Sequence, residues 1–274
     1  MTDFNIGDIT VGIDNDMFVM AGPCVIESLD VCLETAERLV QLQEETGIKF
    51  IFKSSFDKAN RTSIGSFRGP GLQKGMEILS TISRRTGLPV MTDIHEPHQA
   101  QVVADTVDCI QIPAFLCRQT DLLVACSKTG LPISVKKGQF VSPIEMKNAV
   151  NKLRESGNDK IMLTERGTFF GYNRLVNDMG GIEEMKSLGC PVVFDVTHST
   201  QQPGGLGNSS GGAREKGPIL AKAAIAAGAN ALFIETHPRL DEAKCDSACM
   251  MPLDWVKDTV VTCKKIFDIV NDRS

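Results

Sequence analysis

The sequence has no basic tract and no long apolar run. Its net charge is −5 at neutral pH, which argues against a surface that binds nucleic acid. No stretch reaches the roughly 18 consecutive apolar residues typical of a membrane-spanning helix. The start, MTDFNIGDIT, carries two acidic residues and no basic segment before an apolar stretch, so we expect no secretory signal. These absences predict a cytoplasmic protein with no membrane or nucleic-acid partner.

No linker, low-complexity tract or shift in composition divides the 274 residues. We therefore expect one domain over residues 1–274, a size that single α/β barrels commonly have. The glycine-rich motifs GxGxxG and GxxxxGK[ST] are also absent after the first predicted strand. Their absence weakens the alternative of an open, nucleotide-binding sheet.

Disulfides are not expected, although the chain has nine cysteines. The number is odd, the chain is long, and several cysteines, such as Cys109 and Cys263, lie inside apolar stretches. Most should be reduced, buried small side chains. This is also the simplest interpretation of Cys24 in VMAGPCVIES (19–28), taken by itself.

Eight short, nearly continuous apolar segments recur along the chain, as expected for parallel strands buried on both faces. They cover residues 17–22, 49–56, 89–94, 109–115, 132–137, 160–167, 191–198 and 231–238.

Helical patterns lie between most of these segments, for example at 31–46, 71–87 and 218–228. Alternating strands and helices imply parallel βαβ units, and eight of them favour a closed (β/α)8 TIM barrel. The segment FNIGDITVG (4–12) alternates around a glycine. We expect it to form a short β-hairpin at the barrel bottom.

Polar residues stand at the carboxyl ends of all eight predicted strands, where such barrels carry their chemistry. Three of them, Lys53, Lys136 and Arg166, would point into one mouth. Because buried cations repel one another, their collection predicts a multiply anionic ligand, although any one of them could be a structural ion pair. The loop 57–71, with Lys58, Asn60, Arg61, Thr62 and Ser63, predicts a second phosphate or hydroxyl site.

Four potential metal ligands also converge in a closed barrel, where the last strand lies beside the first. Cys24, His198, Glu235 and Asp246 follow strands one, seven and eight. A thiolate, an imidazole and two carboxylates suit Zn²⁺ or Fe²⁺, with Mn²⁺ also possible. No HExxH or CxxC motif supports the site locally, and the same logic leaves open the other histidines, His95, His98 and His237. The long, glycine-rich segment 199–215 suggests a lid over the mouth.

The motifs GPCVIES, FKSSFDKANRTS, FRGPGL, TDIHEP, QIPAFLCRQTDLL, VKKGQF, LTERGTFFGYNRLVNDM, FDVTHSTQQPGG and ETHP resemble 3-deoxy-D-manno-octulosonate 8-phosphate synthases over about residues 17–254. That resemblance implies a TIM barrel, commonly a homotetramer. It also implies a transferase that condenses phosphoenolpyruvate with D-arabinose 5-phosphate and water and releases phosphate, in lipopolysaccharide biosynthesis.

The resemblance also implies roles for particular residues. One set of residues would bind phosphoenolpyruvate. A second set would bind the hydroxyls, aldehyde and phosphate of the sugar, and one arginine of this second set would come from a neighbouring subunit. Proton transfer would involve Asp93 or a phosphate oxygen, and the ion, with His198 among its ligands, would orient the aldehyde or bind the attacking water. The phosphoenolpyruvate set is Lys53, Gln111, Ala114, Lys136 and Arg166; the sugar set is Lys58, Asn60, Arg61, Thr62 and, from the neighbour, Arg118.

Two alternatives stay open from the sequence. The first is a 3-deoxy-D-arabino-heptulosonate 7-phosphate synthase, which uses erythrose 4-phosphate and typically reads KPRTS where this chain reads KANRTS, so Asn60 favours the five-carbon aldose. The second is an inactive barrel that only binds an anion, which the full set of basic residues disfavours. Within the resembled family, a cysteine at position 24 implies the metal-dependent branch, whereas the metal-independent branch carries asparagine there.

Overall fold

A computed structural model describes residues 3–61, 63–204 and 211–273. Within these ranges the chain forms fifteen strands and eight α-helices. The strands are β1 (Phe4–Ile6), β2 (Ile9–Val11), β3 (Phe18–Gly22), β4 (Lys49–Lys53), β5 (Val90–Asp93), β6 (Cys109–Ile112), β7 (Ile133–Lys136), β8 (Ile161–Glu165), β9 (Thr168–Gly171), β10 (Arg174–Val176), β11 (Val192–Asp195), β12 (Gln201–Gln202), β13 (Gly211–Gly212), β14 (Ala231–His237) and β15 (Met251–Pro252).

The helices follow the barrel strands in alternation. They are α1 (Leu29–Thr46), α2 (Leu72–Thr86), α3 (Gln99–Ala104), α4 (Thr120–Lys128), α5 (Lys147–Glu155), α6 (Gly180–Ser187), α7 (Gly217–Ala226) and α8 (Leu253–Val270). No helix in the described ranges has both the length and the apolar character needed to cross a membrane.

The first helix shows how local sequence sets these boundaries. Ser28 caps α1, since its hydroxyl accepts a hydrogen bond from the backbone N–H of Val31 at 3.2 Å. Gly47 ends the helix in the left-handed region, with a φ of 73°, and its N–H donates to the Gln43 carbonyl. Cys32, Leu39 and other apolar residues of one face are buried against the barrel.

Eight parallel strands close into a barrel in the order β3, β4, β5, β6, β7, β8, β11, β14 and back to β3. Closure comes from the pairing of β14 with both β3 and β11, in which Glu235 lies opposite Gly22 and Asp195 opposite Phe233. The predicted (β/α)8 barrel is therefore confirmed, and each of the eight predicted segments contains one barrel strand.

Side chains alternate between the two faces of each barrel strand. On β4, Phe50 and Phe52 pack outward in the layer beneath the helices, whereas Ile51 joins the interior cluster. Two residues further on, Lys53 reaches the carboxyl end of the barrel, where it lines a cavity. The same alternation on the other strands places a polar layer above the apolar interior.

The predicted N-terminal hairpin is also confirmed. Antiparallel β1 and β2 bury Phe4, Ile6, Ile9 and Val11 against the interior side chains of the barrel strands. These contacts, such as those with Met91 near the start of β5, put the hairpin at the end opposite to the polar layer. The hairpin thus closes the barrel bottom and leaves one open mouth.

Candidate active site

A cavity of about 750 Å³ opens at the carboxyl ends of the barrel strands. Its floor is the polar layer of inward-facing side chains, to which nearly every barrel strand contributes. These residues are Lys53, Asp93, Gln111, Lys136, Arg166, Asp195 and Glu235, all of them buried.

The lysines of this floor are each paired with an aspartate. Lys53 Nζ lies 3.1 Å from Asp93 Oδ1, and Lys136 Nζ forms an ion pair with Asp195 Oδ2. Although burial opposes ionisation, Lys53 and His95 hold the pKa of the Asp93 carboxyl well below its usual value. Repulsion among these cations is therefore weaker than the sequence alone predicts, because Asp93 and Asp195 balance the two lysines.

Lys136 is only 4 % exposed. Its ammonium lies over the Phe233 ring, 3.2 Å from the centroid. Burial lowers the pKa of Lys136 to about 8, although Asp195 partly opposes that shift. Lys136 thus carries a positive charge at neutral pH but loses it in mildly alkaline solution.

Arg166, immediately after β8, has no ion-pair partner among the described residues. Its Nη2 donates to Gln201 Oε1 at 3.3 Å, and its buried Nη1 has no hydrogen-bond partner. Buried oxygens of Gln111 and Gln139 are also without partners, and both residues line the cavity. Buried polar groups are normally satisfied, so their concentration here indicates a surface built for a polar ligand.

The loop after β4 forms one side of the mouth. Lys58 Nζ lies 3.5 Å from Glu235 Oε1, and Arg61 Nη1 donates to Cys245 Sγ at 2.9 Å. The exposed Asn60 lines the cavity beside them. Thr62 lies outside the described residues, so its predicted role is untested.

The four predicted metal ligands do come together. They fall into two overlapping groups that share Asp246. The first holds Cys24 and also Cys245, the second holds His198 and Glu235, and within each group the potential ligand atoms lie within 4.8 Å of one another. Cys24 Sγ is 3.6 Å from Asp246 Oδ2, and His198 Nε2 is 3.8 Å from Glu235 Oε2. The convergence expected from strand order is therefore present.

Local contacts fix the orientation of these side chains. His198 Nδ1 lies 2.8 Å from Asp195 Oδ2, which turns Nε2 toward Glu235. Cys24 follows Gly22, where a Cβ would lie 2.1 Å from the Lys53 carbonyl oxygen, so only glycine allows this approach of β3 to β4. The Ser54 hydroxyl then holds the Pro23 carbonyl next to Cys24.

Glu235 gives the clearest indication that a cation belongs here. Both of its carboxylate oxygens are buried and accept no hydrogen bond, although Lys58 and His198 lie 3.5 and 3.8 Å from them. Although burial opposes it, Lys58 and His198 lower the pKa of this carboxyl to about 2, so it is ionised. Burial, together with Cys245 and Glu235, raises the pKa of the Cys24 thiol well above its ordinary value. These donors fit a divalent ion, which would satisfy Glu235 and favour the Cys24 thiolate.

The other three histidines lie outside both groups. His95 Nε2 pairs with Asp93 at 3.1 Å, and the exposed His98 pairs with Glu96. His237 accepts a hydrogen bond from the Arg239 N–H. Each thus has another partner.

Of the two remaining predicted residues, one lines the cavity and the other does not. Ala114 lines the cavity at the start of a short 3-10 turn. Arg118 is exposed and does not line this cavity.

Sequence reasoning missed three contributors. Cys245 lies 2.8 Å, Sγ to Sγ, from Cys24. Its position next to Asp246 was the available signal. Ser55 bridges Lys53 and Asp93 through its hydroxyl, and Gln201 holds Arg166. Only the register of the strands and loops brings these pairs together.

Comparison with known proteins supplies an independent finding. Residues 2–271 match the family described as the DAHP synthetase I family. The chain is 59 % identical over 237 residues to a protein of Nitratidesulfovibrio vulgaris (strain DP4), covering 86 % of this chain and 87 % of the relative. It is 50 % identical over 268 residues to one of Protochlamydia amoebophila (strain UWE25), covering 98 % of each. Both relatives are named 2-dehydro-3-deoxyphosphooctonate aldolase.

Proposed function

Since the chain belongs to the DAHP synthetase I family, we propose that it condenses phosphoenolpyruvate with D-arabinose 5-phosphate and water. The products are 3-deoxy-D-manno-octulosonate 8-phosphate and inorganic phosphate, a step of lipopolysaccharide biosynthesis. The names of the relatives favour the eight-carbon product over the heptulosonate alternative, as Asn60 does.

One observation carries the proposal: three buried cationic side chains, Lys53, Lys136 and Arg166, face one cavity. Two of them are balanced by aspartates, whereas Arg166 keeps a buried Nη1 unpartnered. A carboxylate or phosphate oxygen would satisfy that nitrogen with a charge-assisted hydrogen bond. Phosphoenolpyruvate carries both groups, and Gln111 and Ala114 would complete its site.

The sugar would occupy the outer half of the cavity. Lys58 and Asn60 would contact its hydroxyls and aldehyde, and Arg61 and Thr62 would take its phosphate. Arg118 would reach that phosphate from a neighbouring subunit, since it lies outside its own cavity. The half-exposed Phe115 lines the mouth of that cavity, where a neighbouring subunit of the homotetramer that we propose would cover it.

A divalent ion, Zn²⁺, Fe²⁺ or Mn²⁺, would be held by Cys24, His198, Glu235 and Asp246. The two buried oxygens of Glu235, which accept no hydrogen bond, support this assignment. When bound, such an ion supplies Lewis acidity toward an oxygen of the aldehyde or of water. The His198 ring, fixed by Asp195, would hold its Nε2 toward the ion.

The reaction joins C3 of phosphoenolpyruvate to the aldehyde carbon, adds water at C2 and expels phosphate with cleavage of its C–O bond. Lys53, Lys136 and Arg166 would stabilise charge as it develops on the carboxylate and the departing phosphate. Lys58 would donate toward the aldehyde oxygen. Because its pKa is depressed, the Asp93 carboxylate stays ionised and accepts hydrogen bonds. Through His95, it would orient a proton-bearing group. The segment 199–215 would exclude bulk water; its residues 205–210 lie outside the described part.

The test is phosphate release. Incubation with both substrates should liberate one phosphate for each eight-carbon sugar acid that is formed, whereas phosphoenolpyruvate alone should release none. Phosphate release without the aldose would indicate a phosphatase instead, and binding without turnover of any aldose would indicate an inactive anion-binding barrel.

A further inference from the structure

Two thiols from distant parts of the chain are in direct contact inside the mouth. Cys24 follows β3, and Cys245 lies in the segment between β14 and β15. Their sulfur atoms are 2.8 Å apart, well inside the ~3.5–4.0 Å optimum for non-bonded carbon atoms, which are smaller than sulfur. Such a pair is arranged to share either an ion or a covalent bond.

Packing holds both side chains in place. Cys24 and Cys245 are 2 % and 3 % exposed and form one apolar cluster with Val25 and Met250. All nine cysteines are free, and in the described part of the chain no other thiol hydrogen-bonds to a thiol. The other cysteines are therefore not placed to compete for a bond to Cys24.

Cys245 is also within reach of small molecules. It lines the mouth cavity, and the Arg61 guanidinium donates to its sulfur at 2.9 Å. Although Cys245 is only 3 % exposed, a positively charged donor beside a sulfur that lines an open cavity is the setting in which reactive cysteines occur. An oxidant small enough to enter this cavity can thus meet this sulfur first.

We propose that Cys24 and Cys245 form an oxidisable dithiol that hydrogen peroxide converts into a disulfide. One sulfur attacks a peroxide oxygen and the O–O bond breaks. This step converts the thiol into a sulfenic acid and releases one water. The second sulfur then displaces a further water as the S–S bond forms. In sum, two thiols and one peroxide give one disulfide and two waters, with two electrons passing from sulfur to oxygen.

The effect of this oxidation on metal and sugar binding rests on the proposed function. A disulfide removes Cys24 from the proposed metal ligands and takes Cys245 away from Arg61, which we assign to the sugar phosphate. Oxidation would therefore eject the ion and disorganise the sugar site. Bound metal and bound sugar phosphate would protect the dithiol, since the first occupies Cys24 and the second fills the cavity.

The test is peptide mapping of the full chain under non-reducing conditions. Metal-free protein is treated with hydrogen peroxide, as are the variants Cys245→Ser and Cys249→Ser. Cys249 is the matched control, because it is buried in the same segment and its sulfur contacts the Gly211 carbonyl instead of Cys24. We expect a dithiothreitol-reversible link between the Cys24 and Cys245 peptides in the native chain and in Cys249→Ser, and none in Cys245→Ser. Zn²⁺ added before peroxide should slow its formation.

A native chain that forms no such link, or links Cys24 to another cysteine, would overturn the proposal. If Cys245→Ser does not fold, the map of the native chain decides alone. Mapping requires neither turnover nor a bound ion, so it fails or succeeds independently of the proposed reaction. Zn²⁺ content after oxidation, and again after reduction, then measures the consequence: we expect loss and recovery, and unchanged Zn²⁺ binding would refute that part.

Discussion

Lys136 offers the sharpest test of the proposal that the barrel floor binds an anion. Its ammonium is buried, pairs with Asp195 and faces the cavity. The substitution Lys136→Met keeps much of the side-chain volume and removes the charge. We expect weaker phosphoenolpyruvate binding with little effect on the sugar, because we place the sugar around Arg61, on the loop after β4, and not at Lys136.

The structure sets the size of the effect. A hydrogen bond to a charged group contributes about 1.5–3 kcal/mol, which corresponds to roughly a 10- to 150-fold rise in the dissociation constant. Removing one member of a buried ion pair also costs about 3–5 kcal/mol of folding stability. Asp195 would still be bound by the His198 ring and backbone N–H, which limits that loss.

The assay is steady-state phosphate release together with a thermal unfolding curve for each variant. The exposed Lys147→Met is the matched control. If Lys136→Met does not fold, the double variant with Asp195→Asn removes the unpaired carboxylate.

Titration of Lys136 supplies a second readout. Because burial lowers its pKa to about 8, kcat/KM for phosphoenolpyruvate should fall as pH rises through about 8. This alkaline limb should be absent in Lys136→Met. An unchanged KM for phosphoenolpyruvate in a folded variant, or a retained alkaline limb, would remove Lys136 from the site.

Three further predictions concern the metal, the sugar and the fold. Chelation should abolish turnover, and divalent ions should restore it. The variant Cys24→Asn should lose tight metal binding, whereas the control Cys32→Ala on α1 should keep it. A full complement of ion in Cys24→Asn would contradict the ligand assignment. Arg61→Ala should raise KM for arabinose 5-phosphate but not for phosphoenolpyruvate, and equal effects on both would argue against a dedicated sugar site. Ile6→Ala should lower the unfolding free energy by about 2–5 kcal/mol in a urea titration, since Ile6 is fully buried in the barrel bottom, whereas the exposed Asn5→Ala should not.

The fold was predictable because burial on both faces leaves a strong trace in the sequence. Each barrel strand is an apolar run near five residues long, and a polar residue marks where it leaves the core. The convergence of Cys24 with Glu235 followed from strand order alone, since closure places the last strand beside the first. Helix and strand ends shifted by a few residues because caps such as Ser28 act outside the apolar pattern.

The pairings within the site were not predictable in the same way. The pairing of Lys136 with Asp195 depends on the register between strands β7, β8 and β11 and on side-chain rotamers, neither of which leaves a sequence pattern. The contact of Cys245 with Cys24 depends on the path of an irregular segment after β14. A sequence can place residues at one end of a barrel, but their partners require the packed structure.

The choice of aldose tests the central claim most directly. Purified protein should be supplied with phosphoenolpyruvate and a divalent ion, and phosphate release should be measured with arabinose 5-phosphate and, separately, with erythrose 4-phosphate. We predict a much higher kcat/KM for arabinose 5-phosphate, with an eight-carbon product identified by mass. A preference for erythrose 4-phosphate, with a seven-carbon product, would contradict the account.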